Sequence, residues 1–572
     1  LLGTSVTLPN PNVCANFTDC RLRPPQFPNF KVSHRMFAST VPLDSIRFTA
    51  MAVGLLVCLN SQAVADGTAN GTVFLDANNN AKRDTGEAGI AGVGVSNGRE
   101  VVQTDVDGKY SIAVGEDTIV FVIKPTGYRT TTDKDHLSRF YYIHKPKGSP
   151  TNLKFPGVLP TGPLPETIDF PLYTQEEPTA FDVLFFGDPQ PRNQQEIDYI
   201  AHDVVEPLIG VKAAFGVTLG DILFDDLSLF DSFNHTLGRI GVPWYNVIGN
   251  HDINYAAETD ELSDETYERV YGPAYYSFNY GGVHFLVIDD VHWMSDGTRK
   301  FYRSGLSDAQ LDFLENDLKH VSQDHLIVGM MHIPLVKSPW LEPKRQRLFR
   351  ILESRKHCLS LSGHTHHHEH VMVDDKEGWK NPKPHHHIIN VTVCGSWWSG
   401  KPNEEGIPHS MCTDGTPNGH TVMHFDGQKY VLEYRAAGKP ADYQMRLMAP
   451  EVVDLSDANA AAEKPVFHAN VFNAMPGADV QWRFENDSSA AWQAMEKVLI
   501  SDPVFQALWD EEQALKPDLP WRGLAKPMLS PHLFRGNLPT AEIAAGTYTI
   551  SVKATNPNGQ VLTGKRIIRV VE

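Results

Sequence analysis

The chain has 572 residues, 41% hydrophobic and 21% charged, with 50 basic against 69 acidic side chains and a formal net charge of −19. That length exceeds one hydrophobic core and implies about three or four domains of ordinary globular composition. The acidity argues against a general nucleic-acid or anionic-membrane surface, but it leaves a local anion site open, because bound divalent cations reverse the field around them.

Residues 1–35 are rich in Pro and Asn and lack periodicity, and Met36 is a plausible start downstream of them. Arg47 precedes an apolar run at 50–59, and Ala63-Val64-Ala65 follows. A basic residue, a short apolar run and a small-x-small site form the pattern of a secretory signal peptide, here about 46–65 within a leader of 1–65. The run is too short to span a bilayer comfortably. The expectation is a periplasmic or secreted protein with no membrane span in its mature form. Removing the leader would leave Cys358, Cys394 and Cys412, which make neither a disulfide framework nor a CxxC metal spacing.

Residues 66–178 read as β structure, with short β-branched runs such as Tyr110-Ser-Ile-Ala-Val separated by Gly, Asn and Asp. The Asn- and Asp-rich stretch from Asp76 through Gly92 and on to Tyr110 resembles the B-type repeats of bacterial surface proteins, which are small Ig-like sandwiches. Asp76, Asn78, Asn80, Asp84 and Glu87 offer hard oxygen ligands suited to Ca²⁺. Ala81 stands where an EF-hand loop needs Gly, so an ion-free Asn-rich turn is the equal alternative. A Pro-rich tract from 156 to 178 reads as a linker.

Residues 179–408 carry the chemistry. Apolar runs end in Asp188-Pro189-Gln190, Gly220-Asp221, Gly249-Asn250-His251-Asp252, His332 and Gly363-His364-Thr365-His366. Between them, Ile197, Ile200, Val204, Val205 and Leu208 keep helical spacing, and Ser307-x-x-Gln310 forms a capping box before Leu311 and Leu314. Strands alternating with helices predict an α/β layered domain, in which residues just past strand ends meet in one crevice. Asp188, Gln190, Asp221, Asn250, His332, His364 and His366 mix carboxylate, amide oxygen and imidazole, a set suited to Mn²⁺, Fe²⁺ or Zn²⁺. They outnumber the needs of one ion, and a bridging carboxylate would account for the surplus. Taken singly, each motif has a plain structural reading: Asp-Pro and Gly-Asp are common turns, and Asn250 could cap a helix.

In order and wording, the five motifs resemble the calcineurin-like metallophosphoesterase superfamily across about 181–400. The resemblance implies a β-sandwich core flanked by helices and two divalent ions, their identity open among Mn, Fe and Zn. Asp188, Gln190 and His366 would hold the first, Asp221 would bridge, and Asn250, His332 and His364 would hold the second. His251 would serve as general acid, with Asp252 or Asp225 orienting its ring. The first motif usually reads Asp-x-His, and the amide of Gln190 donates more weakly than imidazole. The reaction implied is hydrolysis of a phosphomonoester or phosphodiester by a metal-bridging hydroxide at a dinuclear site.

Weaker signals surround these motifs. His367, His368 and His370, and the run His385-His386-His387, read as solvated loop in preference to extra ligands. Trp397 and Trp398 read either as an aromatic wall for substrate or as a core pair. Arg192 reads as a phosphate contact. Residues 409–572 return to β texture, with one helix expected near 491–499 and no site chemistry. Asp414-Gly-Thr-Pro-Asn-Gly419-His and the closing Gly546-Thr-Tyr-Thr-Ile-Ser-Val resemble the C-terminal domain of secreted bacterial members of the superfamily, giving an Ig-like β-sandwich, an α/β catalytic core and a mainly-β C-terminal domain. Gln190 alone favours the alternative, a surface- or matrix-binding protein built on a degenerate phosphoesterase core.

Overall fold

The computed structural model describes residues 67–456, 465–485, 491–540 and 543–572; the expected leader lies outside them. The first region forms two four-stranded sheets. One runs in the order Lys109–Val114, Gly67–Leu75, Phe170–Thr174, Tyr128–Arg129, the other Val101–Gln103, Gly94–Ser96, Thr118–Val122, Tyr141–His144. Alternation sets the inner faces: in Lys109–Val114 the residues Tyr110, Ile112 and Val114 turn inward while Lys109 and Ser111 face water. Phe170–Thr174 pairs in parallel with Gly67–Leu75, so the tail of the Pro-rich tract is a strand of this sheet and not linker. Lys124 Nζ meets Glu177 at 2.5 Å and the Asn279 carbonyl at 2.7 Å, a buried ion pair fastening this region to the next.

The catalytic region is two sheets face to face. The five-stranded sheet runs Trp244–Val247, Phe215–Leu219, Ala180–Phe186, Gly419–Asp426, Lys429–Ala436; the six-stranded one runs Tyr276–Tyr280, Val283–Val287, Leu326–Met330, Cys358–Ser362, His385–Ile389, Glu369–Val373. Along Ala180–Phe186, Val183 and Phe185 join the apolar core shared by the sheets, whereas Leu184 and Phe186 pack with Ile197, Ile200, Phe230 and Phe233 on the flanking helices. A strand covered on both faces reads as a continuous apolar run, as this one does. Ile197, Ile200, Val204, Val205 and Leu208 are all buried, over an α-helical turn set that widens at Ala201–Val205 and tightens at Glu206–Leu208.

Ser307 caps Asp308–Leu318 by accepting from Gln310 N at 3.1 Å. The Gln310 side chain does not return the bond; it grips the backbone of Asp289 instead. Gly419–Asp426 and Lys429–Ala436, assigned from sequence to the C-terminal β domain, pair onto Ala180–Phe186 and complete the catalytic sheet.

Beyond them, two further sheets enclose Phe467, Trp482, Ile550 and Val552. The helix expected near 491–499 is not there: Gln493–Ala494 and Glu496–Val498 are strands, and the helix is Pro503–Leu515. Its start is fixed by Asp502, which accepts from Val504 N and Phe505 N, and by Pro503 in the first turn, where a missing N–H costs nothing. No helix among the described residues is long and apolar enough to cross a membrane.

Candidate metal centre

The candidate ligand residues sit where sheet strands end. Asp188 and Gln190 follow Ala180–Phe186, Asp221 follows Phe215–Leu219, Asn250 and His251 follow Trp244–Val247, His332 follows Leu326–Met330, and His364 and His366 follow Cys358–Ser362. The glycines in the motifs make the approach possible. A Cβ on Gly249 would stand 1.9 Å from Asp221 N, and one on Gly363 would stand 2.3 Å from Asp188 Oδ2. Asp188, Gln190, Asp221, His364 and His366 all have left-handed backbone, with φ of 40°, 42°, 49°, 75° and 52°. Each such residue costs roughly 1 kcal/mol or more, and clustering of this kind marks sites where side-chain direction outweighs backbone ease.

The side chains converge. Ligand atoms of Asp221, His332 and His364 all lie within 4.8 Å of one another. His332 Nε2 is 3.2 Å from Asp221 Oδ1, 3.1 Å from Asn250 Oδ1 and 3.2 Å from His364 Nδ1. His366 Nε2 lies 3.7 Å from Asp188 Oδ1, and Gln190 contacts Asp221 directly. His332 Nδ1 is 2.9 Å from the Leu219 carbonyl and His366 Nδ1 is 2.6 Å from the Gly395 carbonyl. Each of those carbonyls can accept from an Nδ1–H, and each Nε2 is thereby turned inward, the outer-shell arrangement of metal-binding histidines.

Among the protein's own groups the electrostatics are unsettled. Burial drives Asp188 up to about 8, and Asp221 adds to it. Burial also opposes ionisation of Asp221, yet the facing imidazoles of His332 and His251 hold it below the usual carboxylate range. His332 would be depressed by burial, but Asp221 and Asp188 carry it up to about 10. Burial pushes His364 and His366 down to about 3 and about 4. Buried lone pairs of carboxylate, amide and imidazole facing one another suit divalent cations. The donor set fits.

The expected auxiliary residues divide. Asp225 Oδ1 lies 2.7 Å from His251 Nδ1 and orients that ring. Asp252 does not touch the ring; its carboxylate accepts from Ile222 N, Leu223 N and Gly249 N and so binds the Asp221 loop to the Asn250 loop. Burial alone would lower the His251 pKa, but the carboxylates of Asp221, Asp225 and Asp252 outweigh it and leave it above the ordinary value.

Arg192 is gripped by Glu196 through both Nε and Nη2. Trp397 is partly exposed and stacks on His366 at 4.2 Å between centroids, whereas Trp398 is buried and donates to the Pro189 carbonyl. The histidines expected in solvated loop are interior instead. His385, His386 and His387 lie in a buried strand, with Ser360 Oγ 2.7 Å from both His385 Nε2 and His387 Nδ1. His367, His368 and His370 are buried as well, and Asn473 Oδ1 meets both His368 Nε2 and His370 Nε2.

At the calcium candidate the oxygens of Asp76 accept from Asn79 N, Ala81 N and the Tyr173 hydroxyl. Asp84 accepts from the Asn78 and Asn80 amides, and Glu87 from the Ala77 and Asp84 backbone. These hydrogen bonds shape the loop, and they are compatible with the ion-free turn and with the calcium loop alike.

One positioning residue has a faint signal in sequence. Asp290 is fully buried and accepts from His332 N and Ile333 N, holding the turn that carries His332. An aspartate pair straight after the apolar run at 283–288 was the available clue.

Family models match three consecutive parts of the chain: N terminal of calcineurin-like phosphoesterase at 77–158, calcineurin-like phosphoesterase at 181–368 and C terminal of calcineurin-like phosphoesterase at 386–562. The chain is therefore a metallophosphoesterase, a hydrolase of phosphoric ester bonds. It carries the N-terminal, catalytic and C-terminal domains of the calcineurin-like phosphoesterases.

Among solved structures it is similar to a purple acid phosphatase from yellow lupin (Lupinus luteus) seeds, with 15% identity and a TM-score of 0.35 over 60% of this chain and 67% of that one. A likeness to an endo-beta-1,4-mannanase from Thermotoga petrophila has 9% identity and a TM-score of 0.14 over 66% and 70%. Overlaps this loose carry no argument about fold or activity. No curated protein matches the chain.

Proposed function

We propose that the chain hydrolyses phosphate mono- or diesters at a dinuclear centre. Asp188, Gln190 and His366 would hold one divalent cation, Asn250, His332 and His364 the other, and Asp221 would bridge. When bound, two such cations lower the pKa of water and neutralise charge on the phosphoryl oxygens. The remaining work falls to the protein. The loops ending in Asp221, His332 and His364 keep the site preorganised. Asp225 holds His251 by Nδ1, leaving Nε2 to protonate the departing alkoxide as the ester P–O bond breaks and the oxygen of water joins phosphorus. The convergence of Asp221, His332 and His364 from three separate strand ends carries this reading.

Two four-stranded sheets with one core support an Ig-like sandwich for 66–178, and the sheet pairing supports extending the catalytic domain from about 179 to about 436. The signal-like segment at 46–65 supports export to the periplasm or beyond.

Bound metal and turnover of chromogenic mono- and diesters, measured for wild type, Asp221→Ala and His251→Ala, test the assignment. Asp221→Ala should lose both metal and turnover, and His251→Ala should keep metal and lose turnover. Full metal loading and rate in Asp221→Ala would overturn it.

A further inference from the structure

Four aromatic side chains from four separate segments stand against the metal-site residues. Phe224, just past Asp221, stacks on the His251 ring with centroids 4.3 Å apart and planes 19° from parallel. Trp397 stacks on His366 at 4.2 Å and 30°. Tyr302 sets its edge to His364 at 6.2 Å and 85°. Tyr255 donates its hydroxyl to the Asn250 carbonyl at 2.7 Å.

All four are partly exposed, whereas nearby aromatics with purely structural roles, Trp293, Tyr267 and Trp398, are buried. Partly exposed rings gathered around one polar centre resemble the lining of ligand sites, where aromatic side chains surround a few placed polar groups. Arg192, the one guanidinium beside the first motif, is already spent on Glu196. This rim therefore offers aromatic surface in place of a free cation.

We infer that these rings form a binding site for the alcohol side of the substrate, and that this alcohol carries a planar aromatic group such as a nucleobase. The inference rests on the phosphoesterase reading above. Flat π-systems stack on aromatic side chains, each such contact being worth about 1–3 kcal/mol in other proteins, or about 5- to 150-fold in affinity. A sugar or an alkyl chain gains less from ring faces.

The test compares adenosine 5′-monophosphate with ribose 5-phosphate, and the methyl diesters of the same two alcohols, on the metal-loaded full chain. Within each pair the ester oxygen is the same kind of primary 5-oxygen on a ribose ring, and both diesters share the methyl group. Leaving-group chemistry is therefore matched, and the difference read is the base in place of the anomeric hydroxyl. The adenosine ester should be favoured in kcat/KM by ~10- to 100-fold, chiefly through KM. Tyr302→Leu and Phe224→Leu should each shrink that ratio by ~5-fold or more; because the readout is a ratio, general damage to the centre cancels. A wild-type ratio within about threefold of unity, or a ratio unmoved in both variants, would overturn the inference. Loss of all turnover, including that of a chromogenic ester, would instead sink the phosphoesterase reading.

Discussion

Asp252 offers the sharpest test of how the centre is held. Its side chain is fully buried, with Oδ2 accepting from Gly249 N at 2.8 Å and Ile222 N at 3.1 Å, and Oδ1 from Leu223 N at 3.0 Å. In Asp252→Asn the amide oxygen can take the place of Oδ2 and keep two of these bonds. The NH₂ group must then face Leu223 N, donor against donor. An unmet buried N–H costs about 1–3 kcal/mol, and exchanging a charged for a neutral acceptor weakens the other two by roughly 1 kcal/mol each. The sum is about 3–5 kcal/mol, and it falls on a link between the loops bearing Asp221 and Asn250 that works beside the bond from His251 N to Asp221 Oδ1 and the Asp225–His251 contact. Guanidinium unfolding of apo protein should show a lower midpoint, and metal analysis should show weakened binding although no ligand has changed. An apo midpoint and metal affinity both equal to wild type would refute the assignment of Asp252 as a tie between these loops.

Further predictions follow from other contacts. His251→Ala should lower kcat by ~10²–10⁴ with metal content intact, and by less for a 4-nitrophenyl ester, whose leaving group needs no proton. Asp414 accepts from His368 N at 2.8 Å and lies 3.1 Å from His532 Nε2, so Asp414→Asn should loosen the His364–His366 loop and weaken Mn²⁺ affinity by ~10- to 100-fold, read by calorimetry.

Asp264 lines a cavity of about 350 Å³ with Asp260, Glu268 and Asp289. Its Oδ1 has no hydrogen-bond partner, and burial, followed by the neighbouring carboxylates Glu268, Asp289, Asp260 and Glu265, raises its pKa well above 3.8. The folded state therefore keeps a proton that the unfolded chain releases, and stability falls as pH climbs from the unfolded pKa towards the folded one. Asp264→Asn should be neutral near pH 4 and stabilising by ~1–3 kcal/mol near pH 8 in thermal unfolding.

The site was far more legible in the sequence than its surroundings. Metal ligation demands particular residue types. Gly249 and Gly363 are demanded by close approach, because any Cβ would strike Asp221 or Asp188. Such requirements are local and survive as short motifs. Partner choice is not local. The run His385-His386-His387 looks polar, yet strand pairing with Cys358–Ser362 buries it and Ser360 meets its nitrogens. The strands at 419–426 and 429–436 show the same two-residue alternation as those of the C-terminal region, and nothing in that alternation names the strand they join. The helix at 503–515 was marked by Asp502-Pro503, a start signal outweighed by the apolar texture of 491–499.

From the sequence alone came the candidate metal-site residues, the phosphoesterase motifs and the order of the three regions, because these depend on side-chain chemistry and on motifs a few residues long. Tertiary structure alone decided that Asp225 and not Asp252 orients His251, that Glu196 occupies Arg192, that Trp397 faces the site while Trp398 is core, and that Asp290 braces His332. Each of these turns on which way a side chain points once distant segments are packed together, and a linear order of residues does not carry that direction.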